Sequence, residues 1–245
     1  MNQRENQCQF QNLRWMASLA ILVCLLMPVL AKADDNDTEQ ARLKEAGEVI
    51  KDLTNSANGI PLDVLHKAEC VIILPSVKKG GFIVAGQYGR GAMSCRTGEN
   101  FNGPWSAPIM MQSSGGSVGL QAGGQATDFV VMVMNDKGAR AVMNGKAKLG
   151  GDASIAAGPV GRTAEASTTA TMSAEMLSYS RSQGVFAGVS LSGATLGPDE
   201  DANKDLYGKK VTGEEIFKSE QAPPAASEML SMLAEKSPKP ESAGK

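Results

Sequence analysis

The chain has 245 residues, with 24 Lys and Arg against 26 Asp and Glu and a net charge of −2. That balance, with no local basic stripe, excludes a nucleic-acid-binding role. A single histidine and four cysteines, with no ligand spacing between them, leave no pattern for a zinc site or a histidine-based triad.

Arg4 and Arg14 flank the start of an apolar run, Trp15 to Leu30, and Ala31-Lys32-Ala33 supplies the small-x-small pattern of a signal peptidase site. Residues 1–33 are therefore expected as a cleaved leader, and the mature protein as periplasmic or secreted. A retained membrane span fits less well, because the run is short and ends at a cleavage pattern. Cys24 follows Ile21-Leu22-Val23 and lacks the small residue that lipoprotein processing needs. Residues 34–218 are expected to form the domain, N-terminal helix included. Residues 219–245 read as a proline-containing tail with one short helix and a disordered end from Ser237.

Thr38 is a candidate helix N-cap, and Leu43, Ala46, Ile50 and Leu53 recur at spacings of three and four, predicting an amphipathic helix. Its apolar face lacks aromatics and its polar face is not basic, so packing on the domain is favoured over membrane docking. Pro61 opens a second, short helix with Leu62 and Leu65 inward; His66 on it reads as a surface residue. Cys70 to Leu74 is a buried-type strand, Lys78 to Gly81 a basic turn, and Phe82 to Cys95 a second strand. Cys70 and Cys95 lie at the outer ends of that hairpin, as a disulfide or as two buried small residues.

Thr97 to Gly103 reads as a polar loop, and Trp105 beside Pro108 as a core anchor. Gly115 to Ala126 is a glycine-rich strand region, and the apolar run Phe129 to Met134 is expected as the central strand. A turn at Asn135–Gly138 and a short helix to Asn144 follow. Leu149 to Arg162 alternates small residues, Thr163 to Thr171 continues as a solvated strand, and Tyr179 to Gly193 returns as the closing strand. Helical turns are expected at Asp201–Tyr207 and Gly213–Lys218. A helix at Ser227–Lys236 turns Met229, Leu230 and Leu233 inward. The fold class is α+β: a mainly antiparallel, glycine-rich sheet, curled or barrel-like, with N-terminal and C-terminal helices packed on it.

Tyr179-Ser180-Arg181-Ser182 places hydroxyls around one cation at the mouth of a glycine-thinned strand. Such a run suits an anionic group. Lys78, Lys79, Arg90, Arg162, Tyr179, Ser180, Arg181 and Ser182 are the candidate head-group contacts. The alternative is that the arginines pair internally with Asp128, Asp152 or backbone carbonyls. No catalytic residue is assigned: Gly188-Val-Ser190-Leu-Ser192 lacks the closing glycine of a nucleophile elbow, and no phosphate-binding or dinucleotide motif fits. No metal or cofactor is expected.

The blocks IPLDVLHKAE, GGFIVAGQYGRG, WSAP, GLQAGGQATD, LGGDASIAAGPVGR, YSRSQGVFAGVSLSG and LYG follow one another from Ile60 to Gly208. In that order they resemble the SYLF domain. The resemblance covers nearly all of the chain after the leader. It implies lipid binding: eukaryotic members bind phosphoinositides, partly through an N-terminal amphipathic helix, some fungal members bind actin filaments, and bacterial members are exported. Gln183 stands where a lysine is common, and the N-terminal helix is not the basic, aromatic-bearing type. The expectation is an exported, non-enzymatic module for an anionic lipid or a membrane surface, with actin unlikely given export. The alternative is a structural or protein-interaction scaffold with a charge-paired, filled interior.

Overall fold

A computed structural model describes residues 35–56, 59–81, 84–118, 125–145, 147–161, 173–182, 185–189, 191, 193–219 and 221–238. The leader reading of residues 1–33, Arg162, the strand expected over 163–171 and the chain from 239 lie outside the described residues, as does the side chain of Lys79.

Helix α1, Asp35–Asn55, starts upstream of the expected cap at Thr38. Leu43, Ala46, Val49, Ile50 and Leu53 are all buried. Each large aliphatic on this stripe contributes about 1.5–3 kcal/mol of burial free energy, far more than helix propensity supplies. Helix α2, Leu62–Lys67, buries Leu65; Leu62, expected inward, is 45% exposed. Pro61 serves as the cap, so Leu62 is the first residue of the helix.

Among the described residues the sheet has nine strands: β1 (Cys70–Gly81), β2 (Val84–Cys95), β3 (Ile109–Val118), β4 (Gln125–Val133), β5 (Ala147–Lys148), β6 (Ile155–Ala157), β7 (Met176–Ser182), β8 (Val185–Gly188) and β9 (Thr195–Pro198). Their order is β5-β9-β3-β2-β1-β4-β7-β6, with β8 on β7. Only the β6–β7 pair is parallel among the described pairings. The expected class, an α+β fold with a mainly antiparallel, curled sheet and helices at both ends, is the class observed. The apolar run from Phe129 lies in β4, an interior strand between β1 and β7.

One expected turn is strand instead, and one expected strand is two. Lys78 to Gly81 extends β1, pairing Lys78 with Tyr88 and Gly81 with Ala85. The stretch expected as one closing strand from Tyr179 is a hairpin, with Ser182 opposite Val185 in β7 and β8. Gly91 is required by a close approach: a Cβ there would sit 1.8 Å from the carbonyl oxygen of Ile73. The crossing lies beside a β1 irregularity, where the register shifts between Leu74 and Val77 and Ser76 adopts φ 50°.

Strand alternation divides the apolar residues between two cores. One face carries Val71, Ile73, Ala92, Met110, Val130, Met132, Leu177 and Tyr179 beneath α1, α2, α4 (Glu200–Tyr207) and α6 (Ser227–Lys236). The other carries Ile72, Met93, Ile109, Phe129, Val131 and Met176 beneath α3 (Asp136–Met143) and α5 (Gly213–Phe217). Helix α3 begins inside the expected turn, because the Asn135 side chain accepts the Gly138 N–H and caps it. In α6, Met229 and Leu233 are fully buried, so the tail helix belongs to the first core. Ser237, expected in a disordered end, is buried with it. No helix of the described residues is long and apolar enough to cross a membrane.

Candidate functional site

The run Tyr179-Ser180-Arg181-Ser182 lies in β7, where successive side chains point to opposite faces. Tyr179 joins the core under α1, while Ser180 and Ser182 alternate to the other face. The run therefore does not gather into one pocket. Tyr179 is fully buried and its hydroxyl has no partner among the described residues, so the structure does not place it as a head-group contact. Burial pushes the phenol well above its ordinary range. Its ring lies against Gly158, where a Cβ would overlap it.

Arg181 does reach the α1 side, and carboxylates meet it there. Its Nε donates to Asp128 Oδ2 at 2.8 Å, and its Nη1 donates to Asp52 on the last turn of α1. Asp128 Oδ1 accepts the N–H of Ser76 at 2.9 Å, so the same carboxylate fixes the irregular stretch of β1. Of the two partners foreseen for the arginines, Asp128 holds Arg181. Asp152 instead accepts the Lys148 N–H at 2.8 Å and closes a turn.

Arg90 on β2 repeats this arrangement at the other end of α1. Its Nε donates to Asp199 Oδ2 at 2.5 Å, and its Nη1 lies 3.4 Å from Glu39. Glu39 also takes Arg42. Burial opposes the charge on Arg90, but the hydrogen bond and charge of Asp199, with Glu39, outweigh it and raise the pKa. Asp199 caps α4 as well, accepting the Ala202 N–H at 3.2 Å. Glu39 and Asp52 are 13 residues apart in α1, about 20 Å along a helix. The helix is thus tied to the sheet by an arginine near each end.

Among the described residues, no other candidate joins these clasps. Lys78 is exposed on β1 opposite Tyr88. Cys70 and Cys95 are register partners and form a disulfide, S–S 2.05 Å. His66 is exposed, with Nε2 2.9 Å from the Lys236 carbonyl oxygen. No group of three or more His, Cys, Asp or Glu among the described residues is placed to hold a metal.

A buried arginine that the sequence did not single out is Arg96, immediately after the disulfide. It is 2% exposed, and its guanidinium carbon lies 4.5 Å from the Trp105 ring centroid. Its Nη2 donates to Ser237 O at 2.7 Å, Ser237 Oγ at 2.6 Å and Pro238 O at 3.0 Å. Trp105 Nε1 donates to the same Ser237 carbonyl at 3.3 Å. Burial alone lowers the Arg96 pKa. The contacts span 141 and 142 positions, and only a lone Trp two residues after a loop hinted at them.

A groove of about 640 Å³ opens at the start of α4 and α5, lined by Asp199, Glu200, Asp201 and Glu214 with Lys210 and Gln112. Its acidic wall is unsuited to an anionic ligand.

A family model described as Ysc84, Las17-binding protein actin regulator, matches residues 114–236. The chain belongs to the Ysc84 family. The SYLF resemblance drawn from the ordered motifs is to this same family. The chain is 37% identical over 201 residues to an SH3 domain-containing protein of Schizosaccharomyces pombe, covering 78% of this chain and 46% of that protein. It is 35% identical over 178 residues to the protein YSC84 of Saccharomyces cerevisiae, 71% of this chain and 37% of the relative. Against the human SH3 domain-containing YSC84-like protein 1 it is 32% identical over 198 residues, 78% and 57% respectively. The chain therefore spans about half or less of the length of these relatives. No solved structure matches it.

These findings correct the expected partners. The family description and the name LAS seventeen-binding protein 3, borne by a Saccharomyces cerevisiae relative, specify Las17 binding and actin regulation. The named partners of the family are proteins, where an anionic lipid had been expected and actin set aside.

Proposed function

We propose that this Ysc84-family chain is a protein-binding module, a rigid scaffold that carries out no chemistry of its own. The observation that carries this reading is the internal engagement of Arg90 and Arg181, each held by two carboxylates. A head-group site needs cations with free donors. A charge-paired, filled interior instead suits a scaffold whose surface does the binding. The names of the relatives support a partner of the actin-regulatory class.

Export remains part of the proposal, and an exported chain would meet an actin-class partner only outside the cell that makes it. The leader pattern before Asp34 supports it, and the Cys70–Cys95 disulfide suits an oxidising compartment.

The test is co-sedimentation of the full chain with preformed actin filaments over a concentration series. Saturable pelleting with filaments is the expected result. Pelleting that does not saturate, or a chain that stays in the supernatant at every filament concentration, would remove actin filaments as the partner.

A further inference from the structure

The guanidinium of Arg96 is buried without a carboxylate. No ion pair to it occurs among the described residues, although Glu69 is its neighbour across the strands and its backbone carbonyl accepts the Arg96 N–H at 2.8 Å. Its hydrogen bonds are distributed unevenly. Nη2, with two hydrogens, serves three oxygens of Ser237 and Pro238. Nη1 makes one long contact to the Gly103 carbonyl at 3.4 Å. Nε, on the same edge as Nη2, is buried and has no acceptor among the described residues.

The Nε–Nη2 edge is one that a carboxylate can take with two parallel charge-assisted bonds, roughly twice as strong as bonds to neutral carbonyls. Here that edge is half used, and by neutral groups. Trp105 fixes the plane of the fork from one side. Lys67 ends α2, and Lys236 adjoins the occupying residues, its ammonium 3.0 Å from Glu235.

We infer that the Arg96–Trp105 socket is a carboxylate-binding site for an acidic peptide segment, with Ser237 and Pro238 as its displaceable internal occupant. The occupant is held by a few separable bonds. The Ser237 N–H donates to Leu233 O at 2.9 Å, and its hydroxyl donates to Leu65 O at 3.1 Å. An incoming carboxylate fills the Nε position that the strap leaves empty and exchanges neutral acceptors for an anionic one. The inference names a recognition chemistry for the protein-binding reading and rests on that reading for its physiological partner.

The full chain carries two tryptophans, so a Trp15→Phe variant leaves Trp105 as the sole reporter. The probes are two capped peptides, acetyl-Ala-Ser-Pro-Glu-amide and its Gln counterpart. The Glu peptide is expected to change Trp105 emission saturably and to speed amide exchange at Ser237. The Gln peptide should bind at least about tenfold more weakly. Arg96→Lys, which keeps the charge and loses the fork, should abolish the response. No response to either peptide, an equal response to both, or a response retained in folded Arg96→Lys would overturn the site. Should Arg96→Lys fail to fold, Ser237→Gly loosens the strap and keeps the socket: tighter binding of the Glu peptide is expected, and unchanged or weaker binding overturns it. Loss of the peptide response with filament pelleting intact removes the socket alone.

Discussion

Glu69 shows how one residue can make stability depend on pH. It precedes Cys70 at the start of β1, and one of its carboxylate oxygens is buried without a partner among the described residues. Burial first, and the nearby charge of Asp136 second, raise its pKa to about 6. The folded chain therefore holds this proton at pH values where the unfolded chain has released it. Stability tied to Glu69 is fully present below the unfolded carboxylate pKa and is lost as pH rises through about 6. Urea midpoints measured from pH 4 to pH 8 should fall across that window in the natural chain. Glu69→Gln should flatten this part of the profile and raise the midpoint at pH 7. A decline of equal depth in the variant would place the cause elsewhere.

At the scale of elements, α1 combines an apolar stripe with two electrostatic clasps of unequal strength. Asp128 is mostly buried and serves both Arg181 and the Ser76 N–H. Asp52 is largely exposed. Asp128→Ala strands a backbone donor and one edge of the guanidinium, and should cost about 1–3 kcal/mol. Asp52→Ala removes a solvent-screened partner and should stay within about 1 kcal/mol. Equal losses in chemical denaturation would contradict the assignment of Asp128 as the main anchor. The helix itself was legible because a spacing of three and four is local and needs no partner to be recognised. The clasps were only partly so: Arg181 and Asp128 stood out as residue types, but they lie 53 positions apart. The hydroxyls around Arg181 misled because adjacency in a strand sends neighbours to opposite faces. The short helix α2 misled as well: it buries Leu65 and leaves Leu62, its first residue, exposed.

For the whole molecule, the arrangement of charge matters more than its sum. Two strand arginines are turned inward against Glu39, Asp199, Asp52 and Asp128, and the groove at the start of α4 is lined with carboxylates. Ordered glycine-rich blocks made the family legible from sequence. The closure of the tail was not legible, because Arg96 meets Ser237 only after strands β3 to β9 have been laid down between them. The fold consequently reads as a scaffold whose cations bind its own elements together. The most direct test is sedimentation of the full chain with vesicles of anionic phospholipid across a salt series, beside the Arg181→Ala variant. This account predicts that the natural chain stays in the supernatant at every salt concentration. Salt-sensitive pelleting that is lost in a folded Arg181→Ala variant would contradict it, since Arg181 would then be serving a head group instead of α1.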